Sequence, residues 1–264
     1  MFAGSAVTAM LHQHDFTADL GERILSAMLR VVVMNAKGGC GKTTIATNLA
    51  SYCAGQGIGA ALFDYDPQAS SMYWLKSRPT ELPGIHGVAA YQPPPQGMTR
   101  AWQLRIPDST EFVITDTPAG YKGLDIEDRV AESDVILIPV LPSVIDIHST
   151  ADFIRDVLLI GKARARNKQM AIVINRARLR TKALEKLERF VASLDIPVIG
   201  QIRDTQLYVH AAERGVGVHE LDDRAAQQDA ECWARILNGL RDQQRAIVRP
   251  AGQLAFAMPS VCTR

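Results

Sequence analysis

The sequence predicts an α/β fold, with a mostly parallel twisted sheet and helices on both faces. Short continuous apolar runs alternate with longer segments in which apolar residues recur at helical spacing. The apolar runs are rich in Val, Ile and Leu, which is typical of parallel strands that are buried on both faces. The chain has 264 residues, of which 47% are hydrophobic, and this fits one large domain with a substantial core.

Six strands are expected where the apolar runs occur, at residues 30–34, 60–63, 112–115, 135–140, 171–174 and 198–202. Helical spacing is found at 43–53, 145–160 and 184–194. A last amphipathic helix carries Trp233, Ile236, Leu237 and Leu240, and the prolines at 93–95 predict a loop.

One domain is predicted, over residues 28–249. Residues 1–27 are expected to form a loose extension, because Met28 stands directly before the first strand. Residues 250–264 follow the end of the last helix at Pro250 and are expected to be disordered.

Composition and charge exclude several classes of protein. The net charge is +1, so any binding of nucleic acid must come from a local basic patch. The four cysteines form no CxxC pair and no cluster with histidine at metal spacing, which argues against a zinc or iron–sulfur site and for a reducing compartment. No apolar run is long enough to cross a bilayer, and residues 1–27 lack the pattern of a signal peptide.

Residues 35–44, NAKGGCGKTT, follow a run of three valines and precede a helical segment. Strand, glycine-rich loop and helix in that order are the context of a phosphate-binding P-loop. Three glycines let the backbone N–H groups point at phosphate oxygens, and they are Gly38, Gly39 and Gly41. Lys42 is then expected to bridge the β- and γ-phosphates of a nucleotide, and Thr43 to offer its hydroxyl to Mg²⁺. The alternative is a glycine-rich turn that binds no ligand.

The loop departs from the general P-loop pattern at two positions. Ala36 stands where the first glycine is usual, and Lys37 adds a positive charge. The string KGGCGKTT resembles the deviant Walker A motif of the ParA/MinD ATPases, KGGVGKTT, with Cys40 in place of Val. Further segments resemble that family in the same order: DYDPQAS at 64–70, FVITDTPAG at 112–120, VILIPVLPSVID at 135–146, and Asn175 at the end of the next strand.

The resemblance implies ATP and Mg²⁺ as cofactors and assigns roles to single residues. The nucleotide-binding set is Lys37, Gly38, Gly39, Cys40, Gly41, Lys42, Thr43, Thr44 and Asn175, the last of which reads adenine. Lys37 and Lys42 are the catalytic lysines. Lys37 would reach the ATP of a partner subunit in an ATP-dependent homodimer, and without that subunit it would have nothing to contact.

Three aspartates are expected at the carboxyl edge of the sheet, where α/β proteins bind ligands. Asp116 would hold Mg²⁺ together with Thr43, and Asp66 would orient the attacking water. Asp64 would support Asp66 or the metal. The alternative for each is a cap on a following helix.

The resemblance favours the small ParA type within the family. The sequence pattern lacks three features that mark other branches of the family. These are cluster-binding cysteines, a C-terminal amphipathic membrane helix and an N-terminal helix-turn-helix domain. This type implies a cytoplasmic, nucleoid-associated protein with no membrane contact. Its expected partners are DNA, bound without sequence preference, and a ParB-like or adaptor protein that stimulates slow hydrolysis.

A basic segment at 155–182 supports DNA binding. It holds nine basic residues against one acid, Asp156, which gives nine minus one, or +8. The expected DNA contacts are Arg176, Arg178, Arg180 and Arg203, with the first three lying away from the phosphate loop. The alternative interpretation of this basic segment is a helix end and loop that are exposed to solvent and bind no DNA.

The resemblance therefore implies an ATPase that segregates or positions a plasmid, a chromosome or a protein cargo such as a carboxysome or chemoreceptor cluster. Two alternatives are a metabolic P-loop enzyme that uses ATP to activate a small substrate, and a regulatory binder that scarcely hydrolyses ATP.

Overall fold

The structure is a computed structural model that describes residues 28–248. Seven parallel strands form one sheet in the order β3-β2-β4-β1-β5-β6-β7. The strands are β1 Leu29–Val33, β2 Ala60–Asp64, β3 His86–Ala89, β4 Phe112–Asp116, β5 Val135–Val140, β6 Gln169–Ala177 and β7 Val198–Arg203. The predictions for residues 1–27 and 250–264 lie outside the described residues.

Helices cover both faces of the sheet. They are α1 Lys42–Gly55, α2 Ser70–Lys76, α3 Arg100–Gln103, α4 Leu124–Glu132, α5 Val144–Leu159, α6 Lys182–Ala192, α7 Leu207–Glu213 and α8 Ala226–Val248, with a 3₁₀ turn at Val218–Glu220. On one face, α1 and α8 pack on alternate residues of the central strands, including Val31, Val33 and Ile114. On the other face, α4, α5 and α6 pack on Val32, Ile136 and their neighbours. This arrangement is the α/β fold that the sequence predicts.

The sequence predicts six of the seven strands and misses β3. This strand, HGVA, lies at the edge of the sheet, and Val88 is its only buried side chain. An edge strand with one buried residue has no continuous apolar run, so the pattern that identifies the central strands is lacking. The prolines at 93–95 lie in a loop, as predicted.

The strand register brings the ends of three central strands together. Asp116, the last residue of β4, pairs with Val33 of β1 on one side and with Asp64 of β2 on the other. Because the strands are parallel, the loops that follow them leave from the same edge of the sheet. The loop between β1 and α1 therefore lies beside both aspartates.

A buried ion pair joins the segment after α2 to the 3₁₀ turn. The Arg78 guanidinium donates to both carboxylate oxygens of Glu220, at 2.8 and 2.6 Å. The two side chains are only 5% and 8% exposed. Glu220 also accepts the N–H of Gly217 at 2.6 Å. Nearby, Asn48 of α1 accepts the N–H of Val218 at 2.7 Å, so the 3₁₀ turn is tied to α1 and to the end of α2.

We expect Arg78→Ala to lower the free energy of unfolding by about 3–5 kcal/mol, because the buried Glu220 carboxylate would lose its partner. Urea unfolding measures the change. Arg245→Ala is the matched control, since Arg245 pairs with Asp242 on the surface and is 51% exposed. Its effect should be about 1 kcal/mol or less. Equal effects of the two substitutions would contradict the structural role of Arg78.

Candidate nucleotide-binding site

The phosphate loop connects β1 to α1 through residues 34–41. Gly39 and Gly41 have φ angles of 75° and 94°, in the left-handed region that glycine adopts without strain. A Cβ at Gly41 would also collide with the side-chain amide of Asn175. Both positions require glycine, and the loop leads directly into the N-terminus of α1, which favours an anion.

Neighbouring segments hold the phosphate loop in place. Asn35 donates through Nδ2 to the carbonyl of Pro139 at 2.8 Å and to the Thr150 hydroxyl at 3.3 Å. Its Oδ1 accepts the N–H of Lys37 at 3.1 Å. The N–H of Gly120 donates to the carbonyl of Ala36 at 2.9 Å. These bonds link the loop to β5, α5 and the segment after β4, so three neighbouring segments hold the cradle in its shape.

A cleft of about 460 Å³ opens over the loop. It is lined by Gly38, Gly39, Gly41, Lys42, Thr43, Thr44, Asp66, Gln68, Ser70, Thr117, Pro118, Ala119 and Arg176. Lys42 is buried, and its Nζ donates to the carbonyl of Lys37 at 3.1 Å. The ammonium thus lies across the loop, beside the glycines that would hold phosphate.

Asp116 is the acidic group best suited to a metal. It is fully buried, and one carboxylate oxygen accepts the Ser71 hydroxyl at 2.6 Å. The other oxygen, Oδ1, has no hydrogen-bond partner within residues 28–248. Burial raises the pKa of Asp116 to about 6, although the hydrogen bond from Ser71, the nearby Thr43 hydroxyl and the charge of Lys42 oppose the rise. A buried carboxylate oxygen without a partner, next to the Thr43 hydroxyl, fits a divalent cation such as Mg²⁺.

Ser71 is a site residue that sequence reasoning missed. It follows the DYDPQAS segment and lies at the start of α2, fully buried. A hydroxyl next to a recognised acidic segment was the available signal, but only the fold shows that it contacts Asp116.

Asp64 and Asp66 occupy different surroundings. Asp64 is fully buried, and its two oxygens accept the N–H groups of Asp66 at 2.9 Å and Met72 at 3.2 Å. Burial raises the pKa of Asp64, and these two N–H groups lower it. Asp64 therefore shapes the turn that presents Asp66, while its role at the metal stays a prediction. Asp66 lines the cleft, where a carboxylate that orients water would have to be.

Lys37 is not among the residues that line the cleft. Its Nζ lies 3.4 Å from Oδ1 of Asp146, and its side chain is 36% exposed. Asp146 belongs to the first turn of α5, where it also accepts the Ser143 hydroxyl. The expectation that Lys37 has no contact within its own subunit is wrong, because the fold brings α5 beside the loop.

Asn175 and Cys40 both serve the loop itself. Asn175 is 3% exposed, and its Nδ2 donates to the carbonyl of Cys40 at 2.8 Å. Its reading of adenine stays a prediction. The Cys40 thiol is buried and donates to the carbonyl of Lys37 at 3.3 Å, so it points into the protein and not into the cleft. Burial raises the pKa of Cys40 and keeps it a neutral thiol.

The structure corrects the grouping of the expected DNA contacts. Arg176 lines the nucleotide cleft and does not lie away from the phosphate loop. Arg203 donates to Asp229, a carboxylate that is 3% exposed, at 2.7 Å, which gives its guanidinium a structural partner. Arg178 pairs with Asp204 at 2.6 Å.

The segment 155–182 does not form one patch. Strand β6 has nine residues, which separates its ends by about 26 Å. The basic residues before β6 therefore lie at the opposite edge of the sheet from those after it. Several are also paired with acids, Arg155 with Asp152, Arg164 with Asp195 and Arg166 with Glu127.

The family model of the CobQ/CobB/MinD/ParA nucleotide binding domain matches residues 31–218. The chain belongs to this family. This match confirms the resemblance to the ParA/MinD ATPases that the sequence shows. The protein is a P-loop ATPase of the ParA/MinD type. Within residues 28–248, no helix has the length and apolar character that a membrane span requires.

A relative agrees with this ParA/MinD-type assignment, and two solved structures share the fold. "Maintenance of carboxysome distribution protein A" of Halothiobacillus neapolitanus is 30% identical over 201 residues, which are 74% of this chain and 88% of that protein. The ATP complex of a Cyanothece McdA variant has a TM-score of 0.58 and 20% identity, covering 81% of this chain and 97% of that one. The MinD cell division protein of Aquifex aeolicus has a TM-score of 0.60 and 19% identity, covering 80% and 97%. At these identities the two structures show the shared fold.

We expect Lys42→Ala to abolish measurable ATP binding, because the loop would lose the ammonium that lies beside its phosphate cradle. Calorimetric titration with MgATP tests this. Lys76→Ala, at the exposed end of α2, removes a similar charge outside the cleft and should bind as the wild type does. Wild-type affinity in Lys42→Ala would remove the P-loop assignment.

Proposed function

We propose that this protein is a positioning ATPase whose ATP-bound homodimer binds DNA without sequence preference and distributes a cargo along the nucleoid. A ParB-like or adaptor protein on the cargo would stimulate hydrolysis and release the dimer. The observation that carries the proposal is the placement of Lys37, in the phosphate loop but turned out of its own cleft. A lysine there is available to a nucleotide in a second subunit.

The surface around Lys37 supports association of two copies. Three apolar side chains lie at the first turns of α4 and α5, Leu124, Val144 and Ile145, and they are 75%, 52% and 72% exposed. Val144 and Ile145 directly precede Asp146, the partner of Lys37. Exposed apolar residues next to a functional site are typical of protein interfaces. A homodimer through this edge would cover them and face the two clefts toward each other.

The cargo is suggested by the relative of known role. The protein from Halothiobacillus neapolitanus maintains carboxysome distribution, according to its name, and this chain spans 88% of its length. We therefore propose a carboxysome or another large protein assembly as the cargo, ahead of a plasmid or chromosome.

The residues of the cleft provide what hydrolysis requires. Bound MgATP supplies the transferable phosphoryl group and a divalent charge that neutralises its oxygens. The N–H groups of the phosphate loop and Lys42 would hold the phosphates, and Thr43 and Asp116 would hold the metal. Asp66 would orient a water, and Lys37 of a partner subunit would stabilise the charge that develops in the transition state.

DNA contact would come from basic residues at the carboxyl edge that have no acidic partner within the described chain. Arg180 and Lys182 follow β6, are exposed and meet this condition, and Arg178 stands next to them in its pair with Asp204. A homodimer formed at the same edge would bring two such groups onto one molecule. Two linked weak sites bind DNA more tightly than either alone.

For Lys37→Ala we expect retained ATP binding, loss of the ATP-dependent homodimer and a fall in hydrolysis on the order of 10³-fold, as for other charges supplied in trans. Size-exclusion chromatography with light scattering, with and without ATP, measures the dimer. Asp146→Asn is the control, because it breaks the same ion pair but leaves Lys37 in place. It should still dimerise. Dimers of Lys37→Ala, or loss of dimers in both variants, would contradict the role in trans.

DNA affinity should appear mainly with ATP and should fall steeply with salt, because backbone phosphates would be the groups bound. Binding of an unrelated duplex at several salt concentrations, with ATP, ADP or no nucleotide, tests this. Replacing Arg180 and Lys182 together with Ala should reduce the log–log salt slope by roughly two units per subunit. DNA binding that depends on neither salt nor nucleotide would contradict the proposal.

A protein that stays monomeric with ATP and never binds DNA would instead favour an enzyme acting on a small substrate.

A further inference from the structure

Arg176 is an exposed arginine that lines the nucleotide cleft together with the phosphate loop. We propose that its guanidinium binds the phosphates of the nucleotide held in its own subunit, and that it is not a DNA contact. This inference rests on the proposed function, since it presumes that the cleft binds ATP.

The backbone of β6 has an irregular register with β7 at Arg176. Ile174 of β6 pairs with Gln201 of β7, and Ala177 pairs with Arg203, so β6 advances three residues while β7 advances two. The extra residue makes a bulge at the end of the strand, beside the cleft. Bulges at such places re-aim side chains toward a site.

Arg176 also has an unusual backbone conformation for a residue with a side chain. Its φ is 50°, in the left-handed region that glycine favours. Its N–H donates to Oδ1 of Asn175 at 2.9 Å, while Nδ2 of Asn175 donates to the carbonyl of Cys40. The residue is thus tied through Asn175 to the phosphate loop. Strain of this kind, held in place by neighbours, is found most often at functional sites.

The charge of Arg176 is not neutralised within the described residues. Arg178 and Arg203 each lie within 4.0 Å of a carboxylate, whereas Arg176 does not. The cleft is lined by one acid, Asp66, against Lys42 and Arg176. A planar guanidinium in such a cleft is suited to paired hydrogen bonds with phosphate oxygens.

DNA backbone phosphate has the same chemistry and could bind the same group. Position favours the nucleotide, because Arg176 shares its cleft with Gly38, Gly41 and Lys42. Arg180 provides the comparison: it lies four residues further on, in the loop after β6, and also has a positive φ, 60°, but it does not line the cleft.

The test compares Arg176→Ala and Arg176→Gly with Arg180→Ala in the full chain. ATP and ADP affinities are measured by calorimetry, and DNA affinity is measured against salt at saturating ATP. Glycine adopts the positive φ without strain, so Arg176→Gly removes the guanidinium while keeping the backbone. Thermal melting without nucleotide verifies that each variant is folded.

We expect both Arg176 variants to bind ATP and ADP about tenfold or more weakly, the loss that follows removal of a hydrogen bond to a charged group. Their DNA salt slope at saturating ATP should equal that of the wild type. Arg180→Ala should show the reverse, with unchanged nucleotide affinity and a smaller salt slope. Wild-type nucleotide affinity in folded Arg176→Gly would overturn the inference, and a reduced salt slope in that variant would reassign the residue to DNA. A wild-type protein that binds no ATP would instead refute the proposed function.

Discussion

The buried carboxylate of Asp116 is the group around which the site is arranged. It ends β4 in the middle of a seven-stranded sheet, between Val33 and Asp64 in the register. Removing a carboxylate from water is costly unless its oxygens find partners, and Oδ1 of Asp116 has none within the described residues. The sheet, the start of α2 and the start of α1 all hold polar groups near this oxygen. A divalent cation bound here would give this oxygen the partner that it lacks.

The rigidity of the phosphate loop follows from contacts on three sides of it. Asn35 joins the loop to β5 and α5, Asn175 joins it to the end of β6, and Gly120 joins it to the segment after β4. Each contact satisfies a backbone carbonyl or side-chain amide that would otherwise be buried without a partner. A loop that is anchored in this way loses less conformational freedom when phosphate binds, which benefits affinity.

The basic residues illustrate why charge along a sequence differs from charge on a surface. The segment 155–182 has a net charge of +8 by count, nine basic residues minus one acid. In the fold, Asp152, Asp195, Glu127 and Asp204 from outside the segment pair with four of its arginines. Strand β6 then separates the other basic residues of the segment, so that they lie at two opposite edges of the sheet. Within this segment, the basic residues at the end of β6 and after it share an edge with the nucleotide cleft, and Arg176 lines the cleft itself.

The sequence by itself determined the fold class, the central strands, the phosphate loop and the family. These depend on local patterns: buried parallel strands need continuous apolar runs, and a phosphate cradle needs glycines followed by Lys42 and Thr43. Tertiary structure alone decided which distant groups meet. The contacts of Ser71 with Asp116 and of Lys37 with Asp146, the loop anchor at Asn35 and the position of Arg176 all join residues far apart in the chain. The edge strand β3 belongs with them, because its pairing with β2 rests on backbone hydrogen bonds and on a single buried side chain, Val88. Such contacts leave no periodic signal, since they depend on strand order and on the register of parallel strands.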